Sequence, residues 1–185
     1  SIKLGVVGEG YVGNAVKKGF EAQGFDVLVY DKYKESSELK DVVDRAKIIF
    51  LCVPTPPLKG IRGNDLSIVE DVLDKISKLV DEKIIVIKST VLPGTAQIFQ
   101  NKYPSLKILS NPEFLDAGTA ERDFLNPDKI LIGHTAGNEE AAESVAKLYD
   151  NFDAPVRIIP SEIAEMTKYM VNTYYATRVI FANQI

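Results

Sequence analysis

Cysteine, histidine and tryptophan are nearly missing from this sequence, and their scarcity excludes several classes of protein. The 185 residues include one Cys, one His and no Trp. A single cysteine excludes a disulfide framework and favours a reducing compartment such as the cytoplasm. No apolar run approaches the roughly 18 residues of a membrane span, and no charged-then-apolar signal segment opens the chain, so we expect no membrane partner.

An excess of charge of one sign is also missing. The 22 lysines and arginines nearly balance 26 aspartates and glutamates, which gives a formal net charge of −4. This mild acidity argues against a nucleic-acid-binding surface. Apolar residues make up 45% of the chain, too many for a disordered protein. The length suits one domain with its own core, and we predict no metal site.

Short apolar runs alternate with segments of helical period along most of the chain. Strands are predicted at 2–7, 26–30, 48–53 and 84–87, with weaker candidates at 107–109, 129–132 and 156–158. Helices are predicted from Val12 onward and near 38–46, 67–80, 94–102 and 138–150, and a loop is predicted at 54–65. Near-continuous apolar strands separated by helices are typical of strands buried on both faces. We therefore predict an α/β domain over residues 1–160, a Rossmann-type, doubly wound, mainly parallel sheet with helices on both faces.

Residues 161–185 differ from the rest because they contain neither Pro nor Gly. Apolar residues recur there at helical spacing: Ile163, Met166, Tyr169, Met170 and Tyr174. Ser161 follows Pro160 and is predicted to be the N-cap, whose side chain accepts a free backbone N–H of the first turn. No stop signal follows, so we predict a long C-terminal helix that is cut short at Ile185.

A glycine motif, GEGYVG, lies directly after the first predicted strand. Gly8 allows a tight turn, Gly10 lets the backbone approach a pyrophosphate, and Gly13 lets helix and strand pack closely. The pyrophosphate would lie on the helix N-terminus, where free N–H groups and the helix dipole favour an anion. Because the motif joins a strand to a helix, we favour a dinucleotide site, including Tyr11 and Val12, over a plain glycine-rich turn.

An acidic residue, Asp31, follows the second predicted strand. A carboxylate at this place accepts hydrogen bonds from the adenosine ribose and repels a 2′-phosphate. We therefore predict NAD rather than NADP as the cofactor. Lys32 is included among the predicted cofactor contacts, although Lys32 and Lys34 could also meet a phosphate.

Four further segments follow predicted strands or lie on the last helix. They are Val53-Pro54-Thr55-Pro56, Lys88-Ser89-Thr90-Val91, Asn111-Pro112-Glu113-Phe114-Leu115, and the pair Lys168 and Asn172. Ligands bind outside the carboxyl ends of strands in open α/β sheets. Each segment also has an ordinary interpretation, since prolines end strands, Ser89 and Thr90 could cap a helix, and Glu113 could be a solvated loop acid. Residues four apart on a helix could simply share a surface.

Taken together, the motifs resemble the nucleotide-sugar dehydrogenase family, which includes UDP-glucose and GDP-mannose 6-dehydrogenases. The resemblance covers nearly all of the chain, in family order: GEGYVG, VPTP, NDLS at 64–67, KSTVLPGT, NPEFL, NPDKILIG and AEMTKYMVNTYYAT. Two alternatives stay open. One is a dehydrogenase of the β-hydroxyacid and 6-phosphogluconate type, which shares the glycine loop and the Lys…Asn pair. The other is a nucleotide-binding or regulatory module without chemistry.

The resemblance implies a reaction: two-step oxidation of a sugar's primary alcohol to a carboxylate, with two NAD reduced. In the family a cysteine captures the intermediate aldehyde. UDP-glucose is the expected substrate, with GDP-mannose and UDP-N-acetylmannosamine as alternatives, and glycan-precursor supply is the expected pathway. A homodimer formed through the last helix is also implied.

The resemblance also implies roles for individual residues. Lys168 and Asn172 would stabilise the oxyanion that develops at the sugar, since a cation and an amide donor suit that task. Glu113 would position or activate water. Thr90 would contact water or the nicotinamide. The other cofactor contacts implied beyond the glycine loop are Val53, Pro54, Thr55 and Ser89, and the sugar-nucleotide pocket includes Glu113, Phe114, Leu115, Lys168 and Asn172.

Two departures from the family pattern matter. Ala117 stands where the family commonly has a second glutamate, and Asp116 stands one place earlier, so Asp116 could substitute only if the loop shifts. The family's nucleophilic cysteine lies in a sugar-nucleotide-binding domain beyond the last helix, so residues 161–185 are expected to begin a connecting and dimerisation helix. Cys52 ends an apolar strand and is predicted to be a core residue, and His134 a surface residue. We expect the chain to bind NAD without completing the oxidation.

Overall fold

A seven-stranded sheet organises residues 2–60 and 63–184, the part of the chain that this computed structural model describes. The strands are β1 (Lys3–Val7), β2 (Asp26–Tyr30), β3 (Ile48–Leu51), β4 (Ile84–Ile87), β5 (Lys107–Ser110), β6 (Ile130–His134) and β7 (Val156–Pro160). They lie in the order β2-β1-β3-β4-β5-β6-β7. Strands β1 to β5 are parallel, β6 is antiparallel to β5, and β7 is parallel to β6. The prediction of a mainly parallel sheet is confirmed.

Helices cover both faces of this sheet, as predicted for a doubly wound fold. They are α1 (Tyr11–Ala22), α2 (Leu39–Arg45), α3 (Ser67–Leu79), α4 (Thr95–Lys102), α5 (Ala120–Leu125), α6 (Glu139–Ala146) and α7 (Ser161–Ala182), with a 3-10 turn at Lys147–Tyr149. One face carries a core that includes Phe20, Phe50 and Phe124. The core of the opposite face includes Leu73 and Phe99.

The observed elements differ from the predicted ones in three places. The strand predicted at 48–53 ends at Leu51, close to Pro54, which has no N–H to continue the ladder. The helix predicted at 138–150 is α6 followed by a 3-10 turn. The sequence does not predict α5, because its six residues are too few to show a helical period. Within the predicted loop at 54–65, residues 61 and 62 lie outside the described residues.

The last helix, α7, begins directly after β7 without a turn. The prediction that Ser161 is its N-cap is wrong, because Pro160 occupies the flanking position and no side chain caps the helix. Pro160 has the extended conformation that its ring favours, so the helix can begin only at the next residue. Ser161 is instead buried against Gly133 of β6, where an added Cβ would lie 2.7 Å from the Ser161 Cα. The prediction that the helix runs without a stop to Ile185 is wrong at its end, because α7 ends at Ala182 and residues 183 and 184 form a turn. Ile185 itself lies outside the described residues.

Only the first turns of α7 are buried. Its buried residues are Ser161, Ala164, Glu165 and Lys168, whereas residues 172–182 are exposed. Despite its length, α7 lacks the sustained apolar character of a membrane span, and so does every other helix within residues 2–60 and 63–184. The helix is therefore anchored by its N-terminal half alone.

A buried carboxylate makes that anchor. The Oε2 atom of Glu165 accepts a hydrogen bond from the Gly94 N–H at 2.7 Å, and its Oε1 atom accepts one from the Ala96 N–H at 2.8 Å. Both donors lie at the N-terminus of α4, where free N–H groups and the helix dipole favour a negative charge. Glu165 is only 2% exposed, and this burial raises its pKa to about 7 despite the two N–H donors.

We predict that Glu165 makes the stability of the fold depend on pH. A carboxyl whose pKa is higher in the folded than in the unfolded chain binds more protons when folded, so its contribution is lost as the pH rises through about 7. The stability advantage of the wild type over Glu165→Gln should fall by roughly 2–3 kcal/mol between about pH 5 and pH 8. Urea unfolding at both pH values measures it.

The matched control for this test is Glu143→Gln, which alters an exposed glutamate on α6. Its stability difference from the wild type should stay constant over the same pH range. A difference between the wild type and Glu165→Gln that does not change with pH would contradict the assignment.

Candidate functional site

A cleft of about 590 Å³ opens at the carboxyl ends of β1 and β3. The chain leaves β1 toward β2 on one side and then returns past β1 to β3 on the other. Such a switch point is where open α/β sheets bind ligands. Six of the predicted cofactor residues line this cleft: Gly8, Gly10, Asp31, Lys32, Val53 and Pro54.

The three glycines of the loop after β1 serve different geometric needs. Gly8 has a φ of +92°, a left-handed conformation that favours glycine. An added Cβ at Gly13 would lie 1.8 Å from the Gly8 carbonyl oxygen, so α1 can pack this close only without a side chain. At Gly10 an added Cβ would meet nothing within 4 Å, so the missing side chain leaves open space at the cleft.

The beginning of α1 provides the donors that an anion needs. The helix starts at Tyr11 with Gly10 before it, and it has neither a side-chain cap nor an acidic residue in its first turn. Its first N–H groups and its dipole are therefore not used by a local carboxylate. The open space at Gly10 and this uncapped N-terminus together fit a pyrophosphate. Tyr11 is half exposed, and Val12 packs against the core.

The carboxylate of Asp31 is held against the glycine loop. Its Oδ2 atom accepts the Glu9 N–H at 2.7 Å, and its Oδ1 atom accepts the Tyr33 N–H at 2.8 Å. Partial burial opposes ionisation, but these two N–H groups and the nearby Lys34 ammonium hold the pKa of Asp31 below its usual value. Asp31 therefore presents a fixed, ionised acceptor to the cleft, as ribose recognition requires.

The two lysines after Asp31 are used differently. Lys34 donates to the carbonyl oxygen of Glu9 and so ties this segment to the glycine loop. Lys32 also lines the cleft, and its ammonium lies 5.6 Å from the ring centre of Tyr33. Lys34 therefore places a positive charge near the Asp31 carboxylate, and Lys32 places a second one at the wall of the cleft.

The loops after β3 and β4 are fastened to each other. The Ser89 hydroxyl donates to the Val53 carbonyl oxygen at 2.6 Å, and the Thr55 hydroxyl donates to the Thr90 carbonyl oxygen at 2.6 Å. Neither Ser89 nor Thr90 caps α4, which begins only at Thr95. Thr55, Ser89 and Thr90 adjoin the cleft through Val53 without lining it themselves.

A buried ion pair joins the loop after β5 to α7. Glu113 Oε1 lies 3.3 Å from Lys168 Nζ, and both side chains are less than a tenth exposed. Glu113 Oε2 also accepts the Leu115 N–H at 2.6 Å, and the Lys168 ammonium lies 5.4 Å from the ring centre of Phe114. Four of the five predicted substrate residues therefore meet here.

The fifth predicted substrate residue, Asn172, lies one turn beyond Lys168 and is exposed. No hydrogen bond of its side chain is found among the described residues. The ion pair therefore marks the buried end of the site, and Asn172 marks its open end. Asn172 is available to a ligand, but the structure does not join it to the others.

The ion pair is electrostatically close to the glycine loop. Partial burial raises the pKa of Tyr11, and the charges of Glu113 and Asp116 raise it further. Asp116 is exposed, and its Oδ1 atom accepts the Gly118 N–H at 2.9 Å. Ala117 is exposed beside it. The cleft and the loop after β5, which carries Glu113 and Asp116, thus lie at the same edge of the sheet.

Cys52 and His134 are not candidates for the chemistry of the site, although Cys52 lines the cleft just after β3. Burial raises the pKa of the Cys52 thiol to about 12, so the group is an unreactive thiol at neutral pH. It belongs to the core beside β3, as predicted. His134, at the end of β6, lies 3.5 Å from the Glu139 carboxylate and does not line the cleft.

Sequence reasoning missed buried polar residues behind the site. Lys88 and Asn111 stand within recognised motifs but were assigned no role, and Tyr149 carries no local signal. These three side chains form one hydrogen-bonded group. The available signal was Lys88 itself, a lysine directly after the four apolar residues of β4.

Residues 30–153 match the NAD binding domain of the UDP-glucose/GDP-mannose dehydrogenase family. UDP-glucose 6-dehydrogenase of Rickettsia conorii is 34% identical over 165 residues, which cover 85% of this chain and 37% of that protein.

Two solved structures share the fold. GDP-mannose dehydrogenase of Pseudomonas aeruginosa has a TM-score of 0.87 and 26% identity, covering 98% of this chain and 52% of that one. UDP-glucose dehydrogenase of Pyrobaculum islandicum has a TM-score of 0.88 and 28% identity, covering 99% and 52%. The chain therefore spans about half or less of the length of each of these proteins.

Proposed function

The chain belongs to the UDP-glucose/GDP-mannose dehydrogenase family, and we propose that it is the NAD-binding part of an enzyme that oxidises UDP-glucose to UDP-glucuronate. The observation that carries this proposal is the meeting, at one sheet edge, of the dinucleotide cleft and the buried Glu113–Lys168 pair. A protein that only binds a nucleotide has no need of the second feature. Both curated and structural relatives carry names of nucleotide-sugar dehydrogenases.

In this proposal the cleft holds NAD, which supplies the hydride acceptor. The free N–H groups at the start of α1 bind the pyrophosphate over Gly10. Asp31 accepts hydrogen bonds from the adenosine ribose, and its negative charge disfavours the 2′-phosphate of NADP. The loops after β3 and β4, which the Ser89–Val53 and Thr55–Thr90 hydrogen bonds hold together, would contact the nicotinamide.

The buried pair supplies the groups that act on the sugar. Lys168 stabilises the oxyanion that develops on the substrate oxygen, and Asn172 adds an amide donor from the exposed end of the same helix. In the family's reaction the second NAD oxidises the aldehyde held by the cysteine to a thioester, and Glu113 would orient the water that hydrolyses it to the carboxylate and the free thiol. Phe114 and Leu115 line the sugar side of the pocket. Cys52 is buried and protonated, so the nucleophilic cysteine must come from outside residues 1–185.

The division of the chain follows from this proposal. Residues 1–160 are the NAD-binding domain, and residues 161–185 begin the helix that connects it to a sugar-nucleotide-binding domain. The chain spans about half of the relatives' length, which leaves room for such a domain. The single buried cysteine suits a reducing cytoplasm, which is where we propose that the protein works.

A second candidate substrate is GDP-mannose, because a GDP-mannose dehydrogenase is among the structures that share this fold. UDP-N-acetylmannosamine is a third, on the same ground. In this proposal the base and sugar are recognised mainly by the sugar-nucleotide-binding domain, so residues 1–185 favour none of these substrates. A binding module without chemistry is the remaining alternative, and Ala117 in place of a glutamate is the feature that favours it.

We also propose that two copies associate through α7. Its outer half exposes large apolar side chains, among them Met170 (63% exposed), Tyr174, Val179, Ile180 and Phe181 (65%). Exposed apolar patches of this kind mark interaction sites. The occupant that we propose is the α7 helix of a second copy, in keeping with the family's dimerisation helix.

Asp31→Ala tests the cofactor assignment. We expect the variant to lose roughly tenfold in NAD affinity, because two ribose hydrogen bonds disappear, while affinity for NADP changes much less. Calorimetric titration of both cofactors measures the ratio. Asp26→Ala, at the other end of β2, is the matched control and should bind NAD like the wild type. Equal losses for NAD and NADP would rule out the ribose contact.

Reconstitution tests the chemistry. The chain is mixed with the separately produced second domain of a family member, and NADH formation is followed by absorbance with each candidate sugar nucleotide. We expect NADH with UDP-glucose, and a loss of roughly 100-fold or more when Lys168→Met replaces the wild type. Lys78→Met, at an exposed pair on α3, is the control. A complex that forms without producing NADH from any sugar nucleotide would favour the binding module.

Sedimentation velocity tests the association. We expect the wild type to form dimers at high concentration and Tyr174→Glu to remain monomeric, because a charge on α7 would be buried against its partner. Ile98→Glu alters an equally exposed apolar residue on α4 and should leave the dimer intact. A wild type that stays monomeric at every concentration would disprove the proposal.

A further inference from the structure

Lys88 is the most deeply buried lysine of the candidate site. It follows β4 directly and is only 4% exposed. Burial lowers its pKa to about 8. A lysine in such a place is costly unless its ammonium group is hydrogen-bonded. Its Nζ donates to the side-chain oxygen of Asn111 at 2.9 Å and lies 5.8 Å from the ring centre of Phe124.

Asn111 is the point where three elements meet. Its Oδ1 atom accepts hydrogen bonds from Lys88 Nζ and from the Tyr149 hydroxyl at 2.7 Å, while its Nδ2 group donates to the Leu131 carbonyl oxygen at 2.8 Å. Two donors on one side and an acceptor on the other allow a single orientation of this amide. Lys88 and Tyr149 together therefore fix the side chain of Asn111.

The position of Asn111 decides where Glu113 goes. Asn111 is the first residue after β5, and only Pro112, whose ring restricts the backbone, separates it from Glu113. Glu113 then pairs with Lys168 and accepts the Leu115 N–H. A change in the anchor at Asn111 is thus transmitted through one stiff residue to the ion pair.

Lys88 and Glu113 also share a space. Both line a cavity of about 230 Å³ beneath the loop, together with Asn111, Phe114 and Tyr149. In the described chain Lys88 Nζ donates one side-chain hydrogen bond, to Asn111, although an ammonium group has three N–H bonds. Lys88 does not line the NAD cleft. It therefore lies behind the cleft.

We propose that Lys88 is a positioning residue: its ammonium group fixes Asn111, and through Asn111 it holds the loop that presents Glu113 to Lys168. This inference deepens the proposed function and rests on it, because Glu113 and Lys168 act on the sugar only there. The groups that face Lys88 are the Cys52 thiol after β3, Glu113 after β5, Tyr149 after α6 and Lys168 on α7. Burial raises the pKa of Tyr149, which therefore stays a donor.

The wild-type chain provides the first test. The side-chain amide signal of Asn111 in a nitrogen-15 NMR spectrum should titrate with a midpoint near pH 8, as Lys88 loses its proton. Lys88→Arg should keep the low-pH position of that signal to higher pH, because the guanidinium stays charged. An Asn111 signal that has the same position in the wild type and in Lys88→Met at low pH would overturn the proposal, because the hydrogen bond from the ammonium group would then be absent.

Hydrogen exchange of the Leu115 amide provides the second test. We expect the Leu115 amide of Lys88→Met to exchange roughly tenfold faster than that of the wild type. The reason is that Glu113, which accepts the Leu115 N–H, is no longer held in place. Lys88→Arg should retain it, and Lys107→Met, at the opposite end of β5, should not change it. The core amide of Ile85 reports global unfolding, so an equal loss at Ile85 and Leu115, or none at Leu115, would contradict a specific link.

Calorimetry on the same samples separates this inference from the proposed function. We expect Lys88→Met to bind NAD within about twofold of the wild type, since Lys88 lies outside the cleft. A wild type that does not bind NAD would defeat the proposed function and leave the Asn111 titration standing. A Lys88→Met chain that loses NAD binding but keeps Leu115 protection would mean that Lys88 acts on the cleft, which would overturn the positioning role.

Discussion

The fixed position of α7 on the sheet is the constraint on which the candidate site depends. Two side chains one turn apart provide it. Glu165 accepts two N–H groups at the start of α4, and Lys168 pairs with Glu113 after β5. Both contacts are buried, so neither carboxylate can exchange its partner for water without a large penalty. If α7 moved, the Lys168 ammonium group would move away from Glu113 together with the helix.

The reversed strands explain how α7 reaches the site. Because β6 and β7 run against β1 to β5, β7 points toward the edge where the parallel strands begin, and it ends at Pro160, level through His134 with Leu109 of β5. The helix then rises by about 1.5 Å per residue toward the edge where the parallel strands end. The first turns of α7 pack against the sheet. Glu165 and Lys168 therefore lie at the height of the loops after β4 and β5. An all-parallel sheet would have released the helix beyond the site.

The sequence predicts what is local and misses what depends on distant contacts. The glycine loop and Asp31 could be found because strand, turn and helix carry the motif within a few dozen residues. Ser161 was misjudged because its burial against Gly133 cannot be seen from the helix that it begins. The link from Lys88 to Asn111 and Tyr149 spans strands and a turn far apart in sequence. Periodicity predicts which face of an element is buried, but it does not predict which polar atom of another element that face will contact.

The burial of α7 is uneven along its length. Apolar side chains on a helix stabilise it only where another element covers them. The buried residues within 161–168 are covered by the sheet and α4, whereas Met170, Tyr174 and Phe181 are exposed. The helix that places Lys168 at the site therefore also has an exposed apolar surface beyond it. Because both belong to one helix, a contact that covered the exposed half would also restrain the half that carries Lys168.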